Sequence, residues 1–268
     1  MILAPKSKLL KQRHGDAPTI VQILPAMVRG GVERGTVEMA DAIQKHGGRA
    51  VVISHGGPMV RHLDRLGATH HQLDVHTKNP FRWPQVRRQL KAILSRENAD
   101  LVHIRSRVPA WIALPAAAAL GIATVSTVHG RFVAMSAFKR IYNRKLLKTD
   151  HVIAISNYVK DLITSQYVGV EDRLTVVHRG VDIDLFNPGN VNQTRIVNFV
   201  EGLAIPEDVP VIMLPARATM WKGHRILLQA LAKIKDRPFI CLMIGAGDGK
   251  PAFVSELVRL GQLSLIHI

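Results

Sequence analysis

Short apolar runs alternate with longer amphipathic stretches from Thr19 onward, and this alternation limits the possible folds more than any other feature of the sequence. Such runs predict buried strands, whereas apolar residues spaced three or four apart predict helices. Strands that alternate with helices form parallel sheets covered by helices. Candidate strands are residues 19–24, 49–54, 101–105, 123–128, 151–155 and 174–177. The sequence therefore predicts an α/β protein with a Rossmann-like parallel sheet.

Three helix signals support this prediction. Between the first two strands, Val32, Thr36, Ala40 and Ile43 recur at helical spacing. A second helix is predicted over residues 83–96, with Val86, Leu90 and Ile93 facing inward. Ser156 follows a strand and precedes a helical pattern, so its predicted role is that of a helix N-cap rather than a catalytic serine.

A polar, turn-rich region divides the pattern into two parts. We expect a basic extension over residues 1–18, an N-terminal domain over 19–188 and an interdomain connection over 189–208. A second domain over 209–262 would contain two βα units, with strands at 211–215 and 239–244 and helices at 223–235 and 252–260. Two βα units are fewer than a complete doubly wound sheet requires.

Composition narrows the class of ligand. Lysine and arginine outnumber aspartate and glutamate by 36 to 20, which favours polyanions, phosphorylated ligands or an anionic membrane surface. Nucleic acid is not expected, because the basic residues are scattered, aromatic residues make up 5% of the chain, and no nucleic-acid-binding module is recognisable. The single cysteine, Cys241, excludes a disulfide framework and a cysteine metal site. We find no signal peptide and no membrane span, so a cytoplasmic protein is expected.

Four turns at the predicted carboxyl ends of strands could bind a ligand, because open α/β sheets bind ligands at that edge. Gly30-Gly31 would let backbone amides approach a phosphate. Arg105 and Arg107 suit a phosphate or carboxylate, and His129, followed by Gly130-Arg131, is placed to contact substrate. A structural loop or a simple surface position explains the first two turns equally well.

The fourth turn contains Arg217 and Lys222, just before a predicted helix. Two cations beside a helix N-terminus form a credible diphosphate clamp. The later turn over residues 245–250 lacks both the P-loop pattern and the dinucleotide fingerprint. It is therefore interpreted as a tight strand-to-helix turn.

Taken in order, these turns resemble the retaining glycosyltransferase family 4, which has the GT-B architecture of two Rossmann-like domains. The matching stretches are Gly-Gly-Val-Glu-Arg at 30–34, Thr-Val-His-Gly at 127–130, Val-Ile-Ala-Ile-Ser at 152–156, Arg-Gly-Val-Asp at 179–182, and Arg-Ala-Thr-Met-Trp-Lys-Gly-His at 217–224. Residues 105–111 and 139–143 are similar to a bacterial subgroup associated with envelope polysaccharide or lipopolysaccharide synthesis.

The resemblance implies a transfer of a hexose-type sugar from a nucleoside-diphosphate sugar to a lipid-linked or glycan acceptor, with retention of configuration. No metal and no cofactor is expected. By the same resemblance, the donor diphosphate would contact Gly30, Gly31, Arg217, Lys222 and Gly245. His129 would act with Arg217 and Lys222 in catalysis, and the acceptor would contact Arg105, Arg107 and Arg131. The expected location is the cytoplasm, peripherally on the inner face of the membrane.

One departure from the family pattern concerns the second domain, which in the family continues to an acidic Glu-x7-Glu element. The chain ends before it, and a domain of normal size would need roughly 100 further residues. Residues 263–268 fit no family segment and are interpreted as a non-native tail. We therefore expect this fragment to be inactive.

Two alternatives stay open at this stage. A noncatalytic basic fragment could bind anionic lipid or phosphorylated glycan. A dinucleotide-dependent enzyme is disfavoured, because the first glycine turn lacks the required fingerprint and an acidic ribose ligand.

Overall fold

A computed structural model of the chain describes residues 17–130, 132–234, 236–245 and 251–263. The chain divides into two compact units after Gly180. The sequence predicts the end of the first domain at residue 188 and a connection over 189–208, but residues Gln193–Gly202 form a helix. The earlier division has a physical reason, because the last strand that pairs with the first sheet ends at Val176. Most of the predicted N-terminal extension and tail lies outside the described residues.

The described part of the first unit contains a seven-stranded, entirely parallel sheet with the order β3-β2-β1-β4-β5-β6-β7. In the central register, Val21 pairs with Val51 on one side and with Val102 on the other. The direction in which the strands are added reverses between β1 and β4. The strands are β1 (Thr19–Ile23), β2 (Arg49–Ser54), β3 (Thr69–Gln72), β4 (Leu101–Ile104), β5 (Ala123–Val128), β6 (His151–Ala154) and β7 (Leu174–Val176).

Helices connect the strands and cover both faces of this sheet. They are α1 (Gly31–Lys45), α2 (Val60–Leu66), α3 (Trp83–Arg96), α4 (Arg107–Ala118), α5 (Ala137–Arg144) and α6 (Asn157–Thr164). Strand β2 shows how one sheet serves two cores, because successive side chains point to opposite faces. Val51 and Ile53 pack into the larger core with α3, α4 and α6, whereas Ala50 and Val52 pack into the smaller core with α1 and α2.

The predicted elements of the first unit are confirmed with small shifts. Helix α3 has the predicted bounds, although Leu94 rather than Ile93 is its third fully buried side chain. Ser156 is the N-cap of α6, and its hydroxyl accepts a 3.2 Å hydrogen bond from the Val159 amide. Strand β3 was not predicted, because its sequence Thr-His-His-Gln is polar and it lies at the sheet edge, where one side of the strand is unpaired.

The second unit contains the two predicted βα units. Its strands β8 (Val211–Met213) and β9 (Ile240–Leu242) are parallel, and its helices are α7 (Gln193–Gly202), α8 (His224–Leu231) and α9 (Pro251–Leu263). A small core forms where Ala218, Leu228 and Leu257 meet. Within the described residues of both units, no helix is long and apolar enough to cross a bilayer.

Candidate functional site

The candidate site in the first unit lies at the carboxyl ends of β1, β4 and β5, beside the reversal of strand order. Gly30 is the N-cap of α1, Arg105 directly follows β4, and His129 directly follows β5. The backbone amide of Arg105 donates a 2.9 Å hydrogen bond to Ile23 O, so its position is fixed by the sheet. A reversal of this kind leaves a crevice in which open α/β sheets bind ligands.

A bridge of polar side chains holds Arg105 beneath helix α1. Arg105 Nη1 donates a 2.9 Å hydrogen bond to Gln22 Oε1, and Gln22 Nε2 donates a 3.0 Å bond to Thr36 O. Burial lowers the pKa of Arg105 to about 10, and the charge of Arg179 contributes in the same direction. Arg105 is therefore still a cation at neutral pH, held where a positive charge is costly unless an anion approaches.

Arg179 is the site residue that the sequence prediction missed. Its Nη1 donates a short hydrogen bond to Gly31 O, and its Nη2 lies 3.5 Å from Glu38 Oε2. A Cβ on Gly35 would lie 2.7 Å from Arg179 Nη2 and 3.1 Å from Arg105 Nη2, so both guanidinium groups pack against this glycine. Two guanidinium groups thus lie side by side against the N-terminal part of α1. Arg179 could have been identified, because it closely follows β7 at the same edge of the sheet.

Two histidines beside these arginines are neutral. Burial, together with the nearby charges of Arg105 and Arg179, lowers the pKa of His129 to about 3. Burial likewise lowers the pKa of His103 to about 3, and its Nε2 forms a 2.7 Å hydrogen bond with Thr127 Oγ1. Neither ring nitrogen of His129 has a hydrogen-bond partner among the described residues, although both are buried. His129 therefore has hydrogen-bonding capacity left for a ligand.

A cavity of about 270 Å³ opens beside these groups, and Arg105, Arg107, Thr127 and His129 are among its lining residues. It is smaller than the roughly 300–1,000 Å³ of pockets for drug-sized ligands, so it suits one sugar ring or one phosphate. Arg107 is restrained in its wall, because its Nη1 donates a 3.0 Å bond to Asn143 Oδ1 and its guanidinium lies 5.7 Å from the centroid of the Phe132 ring. The structure thus brings Arg105, Arg107 and His129 together, while Arg131 lies outside the described residues.

The predicted donor residues of the second unit lie at the carboxyl ends of β8 and β9. Arg217 and Lys222 are both exposed, and Lys222 ends a 3₁₀ turn directly before α8. Gly245 has a φ of 91°, and a Cβ there would lie 3.3 Å from Ala216 O. This glycine therefore lets the loop after β9 approach the backbone that precedes Arg217. The rest of the predicted tight turn, residues 246–250, lies outside the described residues.

Comparisons with known proteins are consistent with this arrangement of strands and turns. Residues 29–185 match the family model described as Glycosyltransferase Family 4. A crystal structure of a glycosyltransferase from Rickettsia africae ESF-5 is 36% identical, with a TM-score of 0.82 over 93% of this chain and 66% of that chain. The fold of Anabaena Alr3699/HepE, solved in complex with UDP-glucose, is also similar, at 18% identity and a TM-score of 0.77 over 93% of this chain and 66% of that chain.

Curated relatives match over shorter stretches. A D-inositol 3-phosphate glycosyltransferase of Xylanimonas cellulosilytica is 30% identical over 115 residues, which are 42% of this chain and 27% of the relative. Spore coat protein SA of Bacillus subtilis is 24% identical over 185 residues, which are 66% of this chain and 49% of the relative. The chain therefore spans between a quarter and a half of the length of these two relatives.

Proposed function

Because the chain belongs to Glycosyltransferase Family 4, we propose that the complete protein transfers a hexose-type sugar from a nucleoside-diphosphate sugar to a lipid-linked or glycan acceptor, with retention of configuration. The observation that carries this proposal is the pair of guanidinium groups, Arg105 and Arg179, that pack on Gly35 beside the neutral ring of His129. Such a site attracts an anion and offers a hydrogen bond to a neutral hydroxyl next to it. An acceptor or donor that carries a phosphate next to a sugar has this combination of groups.

In this proposal, the cavity of the first unit receives the acceptor and the transferred sugar. Arg105 and Arg179 bind a phosphate or carboxylate, and Arg107 and Arg131 are further acceptor-binding residues in this proposal. His129, uncharged at neutral pH, forms a hydrogen bond with a sugar hydroxyl. Gly30 and Gly31 let the N-terminus of α1 approach a phosphate of the donor, where backbone amides and the helix dipole favour negative charge.

The second unit supplies the charge for the departing diphosphate. When the bond between sugar and phosphate breaks, negative charge develops on the leaving phosphate, and cations placed there in advance lower the barrier. Arg217 and Lys222 have this role in our proposal, and Gly245 keeps the neighbouring loop close. Their charges would take the place of a divalent metal, so the transfer is proposed to need no metal. The proton of the acceptor hydroxyl passes to the leaving phosphate.

We also propose that the protein associates with an anionic membrane, as expected for envelope glycan synthesis at the inner face of the cytoplasmic membrane. The supporting feature is the exposed side of α5, which we call the α5 surface. Phe138 is 80% exposed and Ile141 is 65% exposed, and the exposed cations Lys139, Arg140 and Arg144 lie on the same short helix. On a bilayer surface, such apolar side chains insert between the lipids, and the flanking cations bind the anionic headgroups.

The transferase proposal is tested by assaying the protein for consumption of nucleotide sugars. UDP-, GDP- and ADP-hexoses are supplied with a membrane lipid extract, and release of the nucleoside diphosphate is measured. We expect one donor to be consumed, and NMR of the product to show the anomeric configuration of the donor. A folded protein that consumes none of these donors would contradict the proposal.

Variants of the clamp provide the second part of the test. Arg217→Ala and Lys222→Ala are each expected to lower turnover by about 100-fold or more, because one stabilising charge on a leaving group is worth several kcal/mol. Lys233→Ala, which removes an exposed cation of the same unit, serves as the matched control. Unchanged turnover in both clamp variants would remove these residues from the mechanism.

A noncatalytic lipid-binding protein is the second candidate, and it is favoured by the α5 surface alone. It predicts vesicle binding without consumption of any nucleotide sugar. The dinucleotide-dependent alternative receives no support from the family match.

A further inference from the structure

A cluster of two histidines and one aspartate lies at the same edge of the sheet, on the side of β3. His55 directly follows β2, while Asp74 and His76 lie in the loop that follows β3. One ligand atom from each of these three residues lies within 4.8 Å of the other two. Asp74 Oδ1 is 2.8 Å from His76 Nδ1 and 3.9 Å from His55 Nδ1. No role in sugar transfer accounts for this cluster.

We propose that His55, Asp74 and His76 form a binding site for a divalent transition metal of the zinc type. Two imidazoles and one carboxylate are a common ligand set for zinc, which binds such nitrogen and oxygen atoms at about 2.0–2.2 Å. In tetrahedral geometry, neighbouring ligand atoms are then about 3.3 Å apart. The distances of 2.8 Å and 3.9 Å lie on either side of this value, so small side-chain rotations bring Asp74 Oδ1 to this distance from both imidazole nitrogens.

Unused coordination capacity supports the site. Asp74 Oδ1 and His76 Nδ1 are both buried, yet neither forms a hydrogen bond of acceptable geometry within the described part of the chain. The two atoms are close, but they do not satisfy each other. A metal ion between them accepts both lone pairs and removes the cost of leaving buried polar atoms without a partner.

The backbone holds the three ligands in place before any metal binds. The Leu73 amide donates a 2.8 Å hydrogen bond to Ser54 O, and the His55 amide donates a 3.0 Å bond to Pro25 O. On the far side, Arg82 Nη1 lies 3.3 Å from Asp74 Oδ2, which orients the carboxylate so that Oδ1 faces the histidines. Ligands that are fixed by their outer partners bind a metal more tightly. The ion would join the loop after β2 to the loop after β3 and keep a fourth position for water.

The alternative interpretation is a metal-free network, in which Asp74 forms ion pairs with Arg82 and the two histidines and binds no metal. Isothermal titration of the chelator-treated chain with ZnCl₂ distinguishes the two interpretations. We expect one saturable site with a dissociation constant in the micromolar range or below. Asp74→Asn and His76→Ala are expected to weaken that binding by at least tenfold, whereas His46→Ala, at an exposed histidine on the C-cap of α1, leaves it unchanged.

A second measurement keeps the proposal falsifiable if a variant folds poorly. Cobalt added to the unaltered chain should give the visible d–d absorption of a tetrahedral site with nitrogen and oxygen ligands, and zinc should abolish that absorption. Saturable binding that persists in folded Asp74→Asn and His76→Ala, or the absence of saturable binding by the unaltered chain, overturns the proposal. Circular dichroism of each metal-free variant reports whether it is folded.

Discussion

The Nη2 atom of Arg179 lies 2.7 Å from the point that a β-carbon on Gly35 would occupy. Gly35 is inside helix α1, where glycine is usually unfavourable by about 1 kcal/mol relative to alanine. The absence of a side chain lets two guanidinium groups approach the helix. Gly35 therefore lowers the stability of the helix but allows two positive charges to lie against it.

The first prediction concerns Gly35→Ala. The new methyl group should displace the flexible end of Arg179 rather than the helix, so the free energy of unfolding should stay the same or rise by up to about 1 kcal/mol. Affinity for a phosphate-bearing ligand should nevertheless fall by about tenfold, because the two guanidinium groups can no longer bind one anion together. Urea unfolding and titration with inorganic phosphate measure the two quantities separately.

Gly202→Ala in α7 is the matched control, because a Cβ there meets no atom within 4 Å. It should leave phosphate affinity unchanged. If Gly35→Ala bound phosphate as tightly as the unaltered chain, the paired arginines would not form the anion site.

The second prediction concerns the bridge between Gln22 and Arg105. Gln22→Met removes the acceptor of the 2.9 Å bond and leaves a buried guanidinium without it, which should cost about 3 kcal/mol of stability. The double variant Gln22→Met with Arg105→Met removes the buried charge as well. It should therefore be more stable than the single Gln22 variant, as measured by urea unfolding. If the double variant were no more stable than the single variant, the unpaired charge of Arg105 would not explain the stability lost in Gln22→Met.

The third prediction follows from the low pKa values of His103 and His129, each about 3 in the folded chain. Below pH 6.5 these imidazoles are protonated in the unfolded state but stay neutral in the folded state. Protons therefore bind preferentially to the unfolded state, and stability falls as the pH drops from about 6.5 towards 3. Each histidine should cost about 2 kcal/mol by pH 5. Urea unfolding at pH 7, 6 and 5 measures the loss.

His129→Gln isolates one of the two contributions. Between pH 7 and pH 5 its stability should decline less steeply, by a slope equivalent to about one bound proton, because every other titrating group contributes equally to both proteins. Parallel stability curves for this variant and the unaltered chain would show that His129 titrates normally.

The fourth prediction concerns the α5 surface. Phe138→Ser combined with Ile141→Ser should reduce sedimentation with vesicles of phosphatidylglycerol and phosphatidylcholine by several-fold, because apolar insertion is lost. Arg140→Gln combined with Arg144→Gln should reduce sedimentation more at low salt than at high salt. Salt screens the attraction between the arginines and the anionic lipid, so this attraction contributes less at high salt. Ile226→Ser, at an exposed residue of α8, is the control. Binding that survives both double variants would place the membrane contact elsewhere.

The fold could be predicted from the sequence because its strands are apolar and its helices have regular spacing. Strand β3 escaped prediction since its polar residues lie at an edge, where burial does not select apolar side chains. In the site, the rule that ligands bind at the carboxyl ends of strands identified Arg105 and His129. It did not reveal that Arg105 is bonded to Gln22, because a contact between residues 83 positions apart has no local signature.

Arg179 and the histidine cluster escaped notice for a related reason. Arg179 is part of the site because it packs on Gly35. The sequence shows only a glycine within a helix, and nothing in it indicates that an arginine packs there. His55 and His76 are separated by a helix and a strand in the sequence, and only the parallel pairing of β2 with β3 brings their loops together. Contacts that depend on sheet register become visible only once the strand order is known.

The reversal of strand order between β1 and β4 also affects how this protein could be altered. Arg105, His129 and Arg179 stand beyond the ends of strands β4, β5 and β7, while the strands themselves fill the cores. Exchanging the short loops at these strand ends for others of equal length should change which ligand the first unit binds without disturbing the sheet. The first unit is thus a scaffold on which new specificities could be engineered by loop replacement.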